Sequence, residues 1–215
     1  MEGPAGIIDR LNFFRGLAIF YGVGVVGHLI TPLRPLMLAM TPYVLFITGG
    51  VVLVPVIREG NRRVLAWLLG AGLVTYFIEV AGVATGKIFG SYSYSDVLGA
   101  QVFGVPPMIG FNWMIVLFGC ISLAQIITKR ASIQIAIATL CAPLFDYVME
   151  PVAIAFNYWE WQGGAPPVQN YIVWGVISGV LSSVYVLLRC NTQKALPAYY
   201  LGIQFCYFAI LNFIV

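Results

Sequence analysis

Asp146 and Glu150 stand four residues apart inside the run ATLCAPLFDYVMEPVAIAF, which is otherwise almost wholly apolar. Residues four apart are neighbours on one helical face, so two carboxyls here face one environment. An ionised carboxylate at bilayer depth costs several kcal/mol. Two such groups side by side divide their roles, one holding a proton as a neutral acid and the other serving as an anionic base. A third acid, Glu79, lies in an apolar run one to two turns before its end. Short segments dense in aromatic residues follow both runs: Tyr92 and Tyr94 in one, Tyr158, Trp159 and Trp161 in the other, with Tyr171 and Trp174 just beyond. Such rings serve as an interfacial belt, or as pocket walls whose faces stabilise a transient cation. Their crowding beside the acids favours the pocket.

The elements that must position these groups are membrane helices. The 215 residues are 60% hydrophobic and 9% charged, against roughly 25% charged in soluble domains, and the mean hydropathy is +0.92. Seven apolar runs, each near the length of about 20 residues that crosses a bilayer, fall at about 11–30, 36–57, 64–84, 108–127, 132–150, 168–188 and 198–215. The expected fold is an all-α, polytopic membrane bundle of about seven helices forming one domain over residues 1–215. The first run is read as a retained span, with Pro151 disturbing the fifth. Arg10, Arg15, Arg58, Arg62, Arg63, Lys129, Arg130, Arg189 and Lys194 share one end, and Arg34 and Lys87 the other. Basic residues concentrate in cytoplasmic loops, so the N-terminus is expected in the cytoplasm, with an inner-membrane location. The acids then gather at the opposite end.

An internal echo accompanies this pattern. Gly104-Val105-Pro106-Pro107 precedes the fourth run with Asn112 and Trp113 inside it, and Gly164-Ala165-Pro166-Pro167 precedes the sixth with Asn170 and Trp174 inside it. Each follows a run bearing a glutamate, which suggests two hairpins around a shared pocket. His28, the single histidine, sits near a run end and reads as an interfacial or hydrogen-bonded residue. Asp96 and Glu160 read as solvated loop acids. Cys120, Cys141, Cys190 and Cys206 show no CxxC spacing, which speaks against a zinc site or a disulfide framework.

TGKIFGSYSY with LG and GVP before a span, D-x-x-x-E-P, W-x-W, and Gly-x-Pro-Pro-x-x-Asn leading to Trp174 together resemble the CruF-type carotenoid biosynthesis family, over about Glu79 to Trp174. The resemblance implies a carotenoid 1,2-hydratase acting on an acyclic ψ-end such as that of γ-carotene, lycopene or bisanhydrobacterioruberin. Alkene hydration needs a proton donor, a base for water and shielding of a tertiary cation. The catalytic set expected is Asp146, Glu150 and Glu79. The substrate-binding set is Tyr92, Tyr94, Trp113, Trp159, Trp161, Asn112, Asn170 and Trp174. No metal and no organic cofactor is required. The partners implied are a lipophilic carotenoid and the bilayer, with homo-oligomerisation or association with other carotenoid enzymes left open.

Other classes fit less well. A retinal receptor needs a lysine inside the bundle, and Lys87, Lys129 and Lys194 lie at or beyond span ends. A prenyltransferase needs more acids in register and more bases for a diphosphate. The basic residues form no continuous stripe, which argues against nucleic acid. A carotenoid cyclase shares the protonation step, and a transporter or non-catalytic carotenoid-binding protein can also use buried acids.

Overall fold

The computed structural model describes residues 4–192 and 195–215, with side chains from Phe13 onward; Lys194 and the Arg10 side chain lie outside the described residues. Seven α-helices follow one another: α1 (Pro4–Leu29), α2 (Arg34–Glu59), α3 (Arg62–Thr85), α4 (Pro107–Ile127), α5 (Ala131–Ala155), α6 (Val168–Leu187) and α7 (Leu196–Leu211). The apolar run containing α2, together with α3, α4, α5 and α6, is long and apolar enough to cross a membrane. At 16 residues α7 spans about 24 Å at 1.5 Å per residue, short of a hydrocarbon core of roughly 30 Å.

Helix ends follow the local chemistry. Asn61 caps α3 by accepting the Val64 N–H at 3.4 Å, and Gly86 ends that helix at φ 62°, a left-handed conformation that a residue without Cβ adopts freely. Pro107 occupies the first turn of α4, where no N–H is needed. Pro151 does not end α5. The helix continues through it to Ala155, past the expected bound at 150, and Pro151 itself is exposed.

α4 is the hub. It packs on α2, α3, α5, α6 and α7, and small residues set its closest approaches. A Cβ on Gly110 would sit 2.6 Å from Tyr76 Cβ, and one on Gly119 would sit 2.8 Å from Leu201 Cβ. Trp67 Nε1 donates to the Leu181 carbonyl at 2.8 Å, tying α3 to α6, and Ser178 donates to Ala138 O at 2.7 Å, tying α6 to α5.

At one end of the bundle two short strands pair, a feature not expected from the sequence. β1 (Tyr92–Tyr94) runs antiparallel to β2 (Trp159–Trp161), with Tyr92 opposite Trp161 and Tyr94 opposite Trp159. Alternation along a strand sends Ser93 and Glu160 outward and the four aromatic rings inward. The sheet joins the α3–α4 connection to the α5–α6 connection.

Candidate functional site

The three acids are carried by two helices, α3 and α5, and all are buried: Glu79 is 3%, Asp146 2% and Glu150 3% exposed. A buried carboxyl needs hydrogen-bond donors, and each receives them from a different source. Glu150 Oε2 accepts Trp159 Nε1 at 3.1 Å and Trp161 Nε1 at 3.0 Å. Glu79 Oε2 accepts Tyr94 Oη at 2.9 Å and also the Tyr92 hydroxyl. Asp146 Oδ2 accepts Asn170 Nδ2 at 2.6 Å. In every case one carboxyl oxygen is anchored and the other keeps no hydrogen-bond partner among the described residues.

The donors are matched to this task. Indole N–H groups only donate, so the anchored oxygen of Glu150 stays an acceptor and any proton on that side chain belongs on Oε1. Burial first, and then the neighbouring Glu79 carboxylate, push the Tyr92 and Tyr94 phenols well above their ordinary pKa, which keeps both protonated as donors.

A cavity of about 270 Å³ is lined by Glu79, Asp146 and Glu150 together with Tyr92, Tyr94, Asn112, Trp113, Trp159, Trp161, Asn170 and Trp174. Its walls are ordered by ring contacts. Trp113 of α4 and Trp174 of α6 stack with centroids 3.4 Å apart, and Phe89 stacks on the far face of Trp174 at 5.1 Å. Tyr92 packs against Trp161 at 4.7 Å. The three acids and the expected substrate-binding residues thus share one chamber, whereas Tyr171 lies outside its lining and packs on Tyr147. Asp96, in a short 3-10 turn, and Glu160, on the outer face of β2 and not in a loop, are both exposed.

Other lining residues were not expected at the site. His28 is buried and hydrogen-bonded: Nδ1 lies 2.7 Å from Gly24 O, its ring stacks on Phe156 at 4.8 Å, and Nε2 has no partner among the described residues. Because a carbonyl only accepts, Nδ1 carries the proton and Nε2 the lone pair. Tyr21 and Gln204 also line the cavity, within a hydroxyl cluster in which Tyr21 donates to Tyr200 at 3.0 Å and Thr48 lies 2.9 Å from Tyr200. These residues are scattered over α1, α2 and α7, and no short-range spacing marks them. The strands did carry a signal: Y-S-Y and W-E-W alternate with period two. Among the described residues, no three His, Cys, Asp or Glu side chains converge as a metal-holding group.

Comparison with known proteins gives two findings. A family model described as carotenoid biosynthesis protein matches residues 40–215. A bisanhydrobacterioruberin hydratase of Haloarcula japonica is 30% identical over 191 residues, which are 82% of this chain and 64% of that relative's length. No solved structure matches the chain.

Proposed function

The chain belongs to the carotenoid biosynthesis protein family, and from that premise we propose that it adds water across the C1=C2 bond of an acyclic carotenoid ψ-end. The observation that carries this reading is the chamber itself, where three buried carboxyls, each anchored through one oxygen, face aromatic walls. The name of the Haloarcula relative supports the same chemistry.

In the proposed reaction Asp146 is the proton donor. Its proton joins C2 as the C1=C2 π pair forms the new C–H bond, leaving a tertiary cation at C1. The faces of Trp159, Trp161 and Tyr94 shield that cation. A water oxygen then bonds to C1 and gives a proton to Glu150 Oε1. The two indole donors on Glu150 Oε2 favour its service as the carboxylate, whereas Asp146 has the single amide of Asn170. Transfer of the proton from Glu150 back to Asp146, one helical turn away, resets the pair, and the net change is addition of one water. Glu79 contributes a second polar contact, and no step calls for a metal or an organic cofactor. Aromatic walls suit a short-lived cation because they exclude bulk water without bonding to carbon.

The test is incubation of membranes with lycopene or γ-carotene in isotopically labelled water. Label in a hydroxylated product is the expected result. A ring without label would assign a cyclase instead, and an unchanged carotenoid would leave binding or transport. We further propose that the N-terminus faces the cytoplasm, since Arg58, Arg62, Arg63, Lys129, Arg130 and Arg189 lie at the helix ends remote from the acids. A phosphatase fused to the C-terminus should then be active outside the cytoplasm, and inactivity would overturn the seven-crossing orientation.

A further inference from the structure

One wall of the chamber differs from the rest. Among the described residues that line it, those contributed by α3 to α7 and by the two strands are buried or half-buried; the exposed ones are Phe20 and Val23 of α1 and Met40 of α2, at 46%, 62% and 42%. The residues recur at helical spacing, Phe20, Val23 and Gly24 on α1 and Met37, Met40 and Val44 on α2, so each helix gives one stripe to a common gap. From this we infer that the slot between α1 and α2 binds the polyene stem of a linear substrate, while only the terminal group enters the chamber. The identity of that substrate rests on the hydratase reading above.

Packing defines the height of the slot. Toward the end of the bundle that carries the strands the two helices meet at Gly27, where a Cβ would sit 2.8 Å from Met37 Cγ. Toward the middle they are tied by Tyr21 Oη and Thr48 Oγ1, 3.3 Å apart. Between Tyr21 and Gly27 the rise of α1 is about 9 Å, which admits a flat conjugated chain. The slot residues Phe20, Val23, Met37, Met40 and Val44 are apolar, and methionine adapts to chains of different contour.

Size fixes what stays outside. At about 270 Å³ the chamber lies near the lower end of cavities that enclose a drug-sized ligand, whereas a carotenoid is about as long as the hydrocarbon core is thick, roughly 30 Å. The whole molecule cannot be enclosed, and the exposed wall is where the remainder can leave into lipid. Entry is therefore lateral, from the bilayer, and one end is processed per binding event.

Val23→Trp and Met40→Trp fill the slot without touching a carboxyl, and Leu69→Trp and Leu140→Trp, at lipid-exposed positions of α3 and α5 away from it, serve as controls. Two readouts are taken: retention of lycopene by purified protein, followed through the visible absorbance of the polyene, and formation of hydrated product in membranes. Both slot variants should lose at least ten-fold in each, with the controls within two-fold of the wild type. A slot variant that no longer elutes as the wild-type species is replaced by Val23→Phe, which must change in the same direction. Slot variants that keep wild-type retention overturn the inference even if hydration is confirmed. Wild-type protein that retains lycopene through the slot but never hydrates it overturns the hydratase reading and leaves the slot standing.

Discussion

The α3–β1–α4 and α5–β2–α6 hairpins hold their glutamates in the same way and differ one turn earlier. Glu79 is gripped by two alternate residues of the strand that follows it, Tyr92 and Tyr94, and Glu150 by two alternate residues of its own strand, Trp159 and Trp161. Four residues before Glu79 stands Thr75, whose Oγ1 donates to Ala71 O at 2.8 Å and lies 3.3 Å from Gly110 O. Four residues before Glu150 stands Asp146, bonded to Asn170. Gly110 and Asn170 each follow the second proline of their Gly-x-Pro-Pro motif by three positions. The two hairpins thus share a scaffold that fixes one buried carboxyl, and the second hairpin alone adds another beside it. In the proposed reaction the two adjacent carboxyls of the α5 side form the acid–base pair, with the α3 side completing the wall.

The sharpest break of this comparison is Asp146→Asn. Loss of a general acid costs about 10²–10⁴-fold in rate, so hydrated product should fall at least a hundred-fold while lycopene retention stays intact. Near-normal turnover would end the assignment. Glu150→Gln should follow within the same range and Glu79→Gln should lose only about ten-fold; the reverse order of those two would move the chemistry to the α3 hairpin. Next come the clamps. Removing one donor to a charged group costs about 1.5–3 kcal/mol, so Trp161→Phe should lower turnover by about ten-fold or more. Tyr94→Phe should cost less than Trp161→Phe, because its glutamate stands outside the proton cycle, and equal losses would erase the distinction. The smallest effect is expected at Thr75→Val, which removes one hydroxyl bond worth about 1 kcal/mol. It should lower the melting temperature slightly and leave turnover unchanged, and a large loss of turnover there would make the two hairpins functional equals.

Much of this was legible before any coordinates. The seven helices fall close to their expected bounds because apolar length and Gly/Pro punctuation are local signals. The four-residue spacing of Asp146 and Glu150 placed them on one face because α5 is continuous, and α5 runs through Pro151 to Ala155, past the bound that the proline suggested. Of the two expectations for His28, the structure bears out the hydrogen-bonded one. What its position near a helix end did not reveal is that Phe156 and Tyr207, from distant parts of the chain, cover it.

By itself the sequence determined a membrane bundle, the family, and the presence of carboxyls and aromatic rings at one end of it, since these depend on composition, periodicity and short motifs. Only the tertiary structure decided which donor holds which carboxyl, that β1 and β2 pair to aim four rings inward, and that the exposed lining residues of the chamber belong to α1 and α2. Those features depend on contacts between residues far apart in the chain, such as Tyr21 and Thr48, 27 positions apart, or Tyr92 and Trp161. No local periodicity encodes such contacts, because they are selected by the packing of the whole bundle.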